Sequence, residues 1–322
     1  MPTQSPAIRT DAIDPRPDHV GSRHRHQKTQ TEVEILHAAS LSPFKWLYHG
    51  FSTRLGGQST TYSKGQANGE LNLGFTVSDD RANVVANRER FLEALTGDPK
   101  FPMVMLRQIH SAIALRVNTT RQASDSGFAK ADGMMTSEPG LLLAIQTADC
   151  IPVLVADRER RVTAAFHAGW RGTLKRIVER GVGQIRLEYG SRPEDLVAAI
   201  GPGIGRCCYA VGEEVRNEFE SQFSYAGELF REVVNCDPPK EKYPLSFLTA
   251  RPPGGTNPAA LHLDLVEANR RQLLDAGLNP DAISEVRECT SCHTGRYFSY
   301  RAERGFTGRM LSVIGIRPEK AR

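Results

Sequence analysis

No apolar run in the 322-residue chain approaches the roughly 20 residues a membrane-spanning helix needs, so no transmembrane segment is expected. The first residues lack an apolar h-region, so export by a signal peptide is not expected and a cytoplasmic setting is. An excess of one charge is also missing. The 41 Lys and Arg against 37 Asp and Glu leave a net charge of +4, too weak to argue for a nucleic-acid partner. Cysteine is sparse, six in all, and in an unexported chain these are expected as thiols or metal ligands rather than a disulfide framework. No internal repeat and no clean linker divide the chain. At 39% hydrophobic and 24% charged residues it has an ordinary globular composition and can bury a large core.

What is present divides unevenly. Residues 1–30 are rich in Pro, Arg, His, Gln and Thr without apolar periodicity, which predicts a disordered tail ahead of a single domain over 31–322. A strand is expected over 44–52, ending in the loop Thr53-Arg54-Leu55-Gly56-Gly57, where glycine and arginine suit an anion or a plain turn. Helical spacing over 80–96 is bracketed by Asp80 and Gly97, the residue types of caps. Short strands follow over 103–109 and 112–117. Further helices are expected over 173–189, 212–223 and 264–276, and further strands over 196–200, 283–288 and 310–316. The segment 224–258 contains a Pro-rich run and is expected as a surface excursion.

The chain is organised around residues 141–173. Two apolar runs, 151–156 and 162–166, flank the charged connector 157–161, a hairpin signature. A tight reversal at Arg158-Glu159 would set Cys150 opposite His167, with Cβ atoms about 4.5–5.5 Å apart. Pro152 argues for a bulge or an edge position in this register. Spacing alone favours a buried cysteine beside a core histidine. A nucleophilic Cys150 with His167 as its base, and a metal site completed by His110 from an earlier strand end, stay open.

Other motifs carry less. Cys289-Thr290-Ser291-Cys292-His293 matches the haem attachment pattern, but covalent haem needs an exported chain, so surface or core thiols are expected there. Cys207 and Cys208 point opposite ways in an extended segment, so joint metal ligation by them is not expected. The glycines of Gly201-Pro202-Gly203-Ile204-Gly205 match no phosphate-loop or dinucleotide fingerprint. Asp132 and Asp149 read first as turn and cap residues, with a supporting hydrogen-bond role second.

Taken together, His49-Gly50-Phe51-Ser52-Thr53-Arg54, Gln108-Ile109-His110-Ser111, Ala131-Asp132-Gly133 and Thr147-Ala148-Asp149-Cys150-Ile151-Pro152 form an ordered series. It continues through His167-Ala168-Gly169-Trp170-Arg171-Gly172, the glycine loop ending in Cys207-Cys208-Tyr209, Cys289-Thr290, Phe298-Ser299-Tyr300-Arg301 and Thr307-Gly308-Arg309. This series resembles the laccase-domain family, variously called polyphenol oxidase, purine nucleoside phosphorylase or peptidoglycan editing factor, over roughly residues 44–316. The resemblance implies a single α+β domain with mixed sheets layered between helices, distantly like cytotoxic-factor-type cysteine hydrolases. It implies a zinc site at His110, Cys150 and His167, which would also be the catalytic residues. It further implies phosphorolysis of adenosine, inosine, guanosine and methylthioadenosine, with adenosine deamination. Purine nucleoside and phosphate are then the partners, with neither nucleic acid nor membrane, and the chain is a monomer or homodimer.

Arg54, Arg171 and a helix N-terminus at Gly172-Thr173 are the expected phosphate cradle, Tyr300 and Arg301 the expected frame for the base, and Gln108 and Asp149 further substrate contacts. Two alternatives from other classes are a cysteine hydrolase acting on cell-wall precursors through Cys150 and His167, and a copper-dependent polyphenol oxidase. Three ligands are too few for a multicopper centre, which places zinc ahead of copper.

Overall fold

The computed structural model describes residues 32–63, 69–118, 129–233 and 260–319. The tail expected over 1–30 and the Pro-rich part of the 224–258 excursion lie outside them. Sheet one has the spatial order β1 (Ile35–Leu36), β2 (Leu47–Ser52), β15 (Met310–Ile316), β7 (Leu141–Thr147), β4 (Met103–Met105). Sheet two runs β14 (Ile283–Glu285), β10 (Leu196–Ile200), β8 (Ile151–Asp157), β9 (Val162–Ala168), β6 (Gly133–Thr136), β5 (Ala114–Arg116). A small third sheet holds β11 (Ala210–Val211), β13 (Ala260–Leu263) and β12 (Phe230–Val233), and β3 (Leu55–Ser59) stands apart. The helices are α1 (Arg81–Thr96), α2 (Trp170–Leu174), α3 (Ile177–Tyr189), α4 (Glu213–Gln222), α5 (Ala226–Leu229) and α6 (Leu265–Asp275).

Strand periodicity explains the layers. Along β9, Val162, Ala164, Phe166 and Ala168 face one way and pack with Ile177, Val178, Val182 and Ile185 of α3 and with Leu265, Ala268 and Leu273 of α6. Ala165 faces the other way, where Leu154, Ala156 and Met134 of sheet two meet Leu141, Leu143, Ile145 and Ile314 of sheet one. The far face of sheet one, with Ala144, Leu311 and Val313, is covered by Phe91 of α1. Both faces of both sheets are therefore dry, and their strands carry apolar residues at nearly every position. A side chain such as Phe166, fully buried, contributes about 1.5–3 kcal/mol. The result is the expected single α+β domain: helix, sheet, sheet, helices.

Local chemistry sets the element ends. Asp80 accepts the Ala82 N–H at 2.9 Å, and Gly97 closes α1 in the left-handed conformation at φ 81°. The central hairpin differs from expectation in register. Asp157 pairs with Val162 and Pro152 with His167, so Cys150 is not directly opposite His167. The connector is a four-residue loop because the Asp157 carboxylate accepts the Glu159 and Arg160 N–H groups, both at 2.8 Å, while Arg161 turns left-handed at φ 53°. The slip is two residues, so every side chain keeps its face. Pro152 lies in an interior strand and is accommodated at its start, where the β8–β10 ladder has ended at Val153.

The helix expected over 173–189 is two helices. It begins earlier, at Trp170, breaks where Arg176 adopts φ 61°, and resumes at Ile177. The helix N-terminus expected at Gly172-Thr173 thus lies three residues earlier, at the N-cap Gly169, and Gly172 is a buried residue of the first turn of α2.

One core residue makes stability depend on pH. His49 of β2 is buried, and its Nε2 accepts the Ala38 N–H at 3.1 Å, which requires a neutral ring. Burial, and then the charge of His37, push its pKa from 6.5 down to about 4. The folded state thus resists a proton that the unfolded chain accepts. The stabilisation is complete above about pH 6.5 and is lost as the pH falls toward 4, by about 3 kcal/mol. Urea unfolding between pH 7 and pH 4 should show that loss, and His49→Gln should flatten it.

Candidate metal centre

Two chain crossings pass from sheet one to sheet two side by side. One leaves β4, carries His110, and enters β5; the other leaves β7, carries Cys150, and enters β8. β4 and β7 pair in parallel, Val104 against Leu143, so both crossings leave sheet one at the same end. His167 sits near the end of β9 on the face toward sheet one, one residue before the Ala168–Ile151 pair. The ligating atoms of His110, Cys150 and His167 all lie within 4.8 Å of one another. Cys150 Sγ is 3.8 Å from His110 Nε2, and the two imidazoles meet edge to face with centroids 4.9 Å apart.

Asp132, at the start of β6, holds two of the three in place. Its fully buried carboxylate accepts N–H groups from Ile109 at 3.2 Å, His110 at 2.9 Å and Ser111 at 2.6 Å. It also accepts the Ser111 hydroxyl at 2.7 Å and His167 Nδ1–H at 2.9 Å. The first set stabilises His110 in the left-handed region, at φ 58°. The bond to His167 fixes its tautomer and leaves Nε2 as the free donor. Burial opposes ionisation of Asp132, but the bonds from His167 and Ser111 outweigh it and hold the carboxyl well below the usual range.

The same electrostatics act on Cys150 and His167. Burial disfavours charge on each, yet the imidazole and thiol favour each other's charged form, with His110 and Asp132 adding to it. The thiol is pulled down and the imidazole pushed up. Two imidazole nitrogens and a thiolate with an unfilled fourth direction form a donor set that a catalytic zinc takes, so the residues present fit a metal.

Gly169 lies against this group. A Cβ there would sit 2.9 Å from Cys150 Sγ and 2.9 Å from His110 Cδ2. Gly169→Ala should therefore displace both donors and lower metal affinity about 10–100-fold, as losing a ligand-orienting contact does. Competition with a chromogenic chelator would measure it, and unchanged affinity would contradict this packing.

The remaining expected site residues separate into two groups. Arg54 is buried between Glu70, at 2.6 Å, and Glu303, at 3.1 Å; it also bonds the Thr294 carbonyl and lies 4.5 Å over the Phe298 ring. Its guanidinium is neutralised inside the fold, so Arg54 is not part of an open phosphate cradle. Gln108 exchanges two 2.8 Å bonds with the Gln146 backbone and ties the His110 loop to β7. Asp149, at φ 94°, accepts the Thr290 hydroxyl at 2.6 Å and the Arg301 N–H at 2.7 Å, and burial pushes its carboxyl up. Gly172 backs onto the Ser111 carbonyl.

Arg171, Arg301 and Tyr300 are exposed. Arg171 stacks 4.3 Å over Trp170, and Arg301 bonds the Ala210 carbonyl at 2.8 Å and reaches over Tyr209. Tyr209 feels the charges of Cys150, Asp149, Arg301 and Arg171, and burial raises its hydroxyl pKa. Sequence reasoning did not name Tyr209, Ser111 or Gly169 for the site; only their membership of the quoted motifs pointed to them. A groove of about 610 Å³ lined by Ser111, Ile113, Lys175 and Arg180 runs nearby but includes none of the three donors.

A sandwich of mixed sheets between helices, with a His–Cys–His group where the two crossings meet β9 that can hold a metal ion, is the class of protein the fold and site define. Residues 48–317 match the family described as multi-copper polyphenol oxidoreductase laccase, and the chain belongs to that family. It is 36% identical over 285 residues, 86% of this chain and 93% of the other, to purine nucleoside phosphorylase YlmD of Geobacillus stearothermophilus. It is 30% identical over 270 residues, 79% of this chain and 93% of the other, to adenosine deaminase RL5 from an unknown prokaryotic organism. The crystal structure of YlmD from Geobacillus stearothermophilus superposes with a TM-score of 0.68 at 35% identity, covering 86% of this chain and 94% of that one. Bacillus licheniformis YfiH superposes with a TM-score of 0.71 at 31% identity, covering 85% and 94%.

Proposed function

We propose that the chain is a zinc-dependent purine nucleoside enzyme. It would split adenosine, inosine, guanosine and methylthioadenosine with phosphate into base and ribose 1-phosphate, and deaminate adenosine. The observation that carries this reading is the donor trio His110, Cys150 and His167 within 4.8 Å, two of them positioned by one buried carboxylate. Relatives named purine nucleoside phosphorylase and adenosine deaminase, aligned over most of both chains, supply the substrate class.

His110, Cys150 and His167 hold the zinc in this reading. When bound, zinc supplies Lewis acidity at neutral pH, which suits activation of water against the purine C6 and neutralisation of phosphate beside the ribose. The chain's own residues do the rest. Arg171 is paired with no carboxylate among the described residues and offers a planar cation to phosphate. Asp149 accepts the backbone N–H of Arg301 and so holds the loop that carries Arg301. Tyr300, 44% exposed, would frame the base in this reading. Gln108 holds the loop that carries His110. No membrane-crossing helix occurs among the described residues.

Product analysis on the full chain tests the proposal. Inosine should give hypoxanthine only when phosphate is present, and adenosine should give inosine and ammonia without it. Protein that does neither would sink it.

A second reading rests on the thiol pulled down beside an imidazole that a carboxylate orients. Cys150, His167 and Asp132 then form a cysteine-hydrolase arrangement, with Cys150 as nucleophile and His167 as base. Metal content separates the two. Stoichiometric zinc lost in Cys150→Ser supports the first; a metal-free enzyme inactivated by thiol alkylation supports the second.

A further inference from the structure

The expectation for Cys207 and Cys208 fails in an informative way. The segment is a helical turn rather than extended, with the Cys208 and Tyr209 N–H groups both donating to the Gly205 carbonyl, at 2.9 and 3.1 Å. Successive side chains of a turn splay by about 100° instead of 180°, so both thiols can address one point. They do. The sulfurs of Cys207, Cys208, Cys289 and Cys292 all lie within 4.8 Å of one another. Cys292 Sγ is 3.4 Å from Cys207 Sγ and 3.3 Å from Cys208 Sγ, and all four are free thiols. Cys289 and Cys292 have the C-x₂-C spacing of a metal knuckle, and no haem is needed to account for it.

We propose that Cys207, Cys208, Cys289 and Cys292 form a second metal site, a closed four-thiolate zinc site that is structural and separate from the His–Cys–His centre. Four sulfurs about 2.3 Å from one ion stand about 3.8 Å apart, a separation that the observed spacings bracket, 3.4 and 3.3 Å for two pairs and within 4.8 Å for all four. Four protein ligands leave no position for substrate, which marks a structural site. The Gly205 N–H donates to Cys289 Sγ at 3.2 Å, the partner a thiolate seeks. Gly205 packs closely against the same thiols: a Cβ there would lie 3.1 Å from Cys289 Cβ and 3.3 Å from Cys207 Sγ, so those neighbours would have to give by a few tenths of an ångström. His293 is no competing ligand through Nδ1, which is bonded to the Cys289 carbonyl at 3.0 Å.

The position gives the ion its task. The two loops meet at a Gly203–Cys289 bridge and a Thr290 N–H bond to the Gly203 carbonyl at 3.0 Å. From them, Thr290 and Ile204 reach the side chain and carbonyl of Asp149, next to Cys150. An ion here staples the floor under the Asp149–Arg301 contact without touching substrate.

The test is metal content of the full chain, purified anaerobically and reconstituted with zinc. Wild type should hold about two zinc ions, Cys150→Ser about one, Cys292→Ser about one, and Cys150→Ser/Cys292→Ser none. Cobalt-loaded Cys150→Ser should show an intense near-ultraviolet thiolate-to-cobalt band, absent from Cys150→Ser/Cys208→Ser. If Cys292→Ser does not fold, the cobalt spectrum of Cys150→Ser decides alone. Metal-free Cys150→Ser protein without that band would overturn the site, and so would peptide mapping that finds Cys292 disulfide-bonded to Cys207 or Cys208. Either result leaves the nucleoside proposal to be judged on its own assay.

Discussion

Cys150→Ser should strip the His–Cys–His centre of its metal and lower kcat/KM for every nucleoside by more than about 100-fold, the upper end for loss of a residue that only orients a ligand. The thiolate is the one anionic donor of the trio, and a serine hydroxyl stays protonated and binds zinc poorly. The thiol itself is favoured as an anion by His167 and His110, despite burial. A serine cannot take up that charge, so His167 also loses its ionic partner. The fold should persist, because Cys150 sits in a crossing rather than in either apolar core. Elemental analysis, kinetics and a circular dichroism melt on the same sample would check all three statements. A variant that keeps its zinc and its activity would remove Cys150 from the centre.

Asp132→Asn should be nearly as damaging for a different reason. Every contact of the Asp132 carboxylate is with a donor: three backbone N–H groups, one hydroxyl and one imidazole N–H. Asparagine replaces one acceptor oxygen by an NH₂ that faces those donors. Charge-assisted hydrogen bonds are worth about 1.5–3 kcal/mol each, so a loss of at least about 3 kcal/mol of stability is expected. Released from its bond, His167 can adopt the other tautomer, and the left-handed His110 loses its anchor. Metal affinity or activity should then fall about 10–100-fold. The pH profile separates this from simple unfolding. Because the Asp132 pKa is depressed in the fold, its stabilisation is present above the ordinary carboxylate pKa and is lost only as the pH falls through the lowered value. The variant should be destabilised at neutral pH yet lose less than wild type on acidification, as urea melts at several pH values would show.

Much of this was legible in the chain because burial on both faces writes long apolar, β-branched runs. β10 and β15 fall on the residues expected, and α1 and α6 sit behind Asp80 and Asp264 as capping predicts. Hydrophobic pattern does not encode turn length. The hairpin register depended on one carboxylate, Asp157, gathering two N–H groups, and the break after α2 on Arg176 turning left-handed within an unbroken helical period. Long-range pairing was equally silent. Arg54 looked like an anion ligand beside its glycines, but its partners Glu70 and Glu303 lie 16 and 249 residues away. Asp132 looked like a turn residue, which it is, and its larger role needed residues 109–111 and 167 brought to it.

The donors of the centre hang from different parts of the sandwich: His110 and Cys150 from the crossings out of sheet one, and His167 from sheet two. An unfolded chain cannot present the three together, nor can either sheet by itself. Any ion they bind is therefore a clamp across the interface between the sheets, and occupancy and docking of the layers rise and fall together. Free metal at 1,000 times its dissociation constant would add about 4 kcal/mol to the folded state. Metal supply would then govern how long the chain survives heat and proteolysis, apart from any turnover the metal supports.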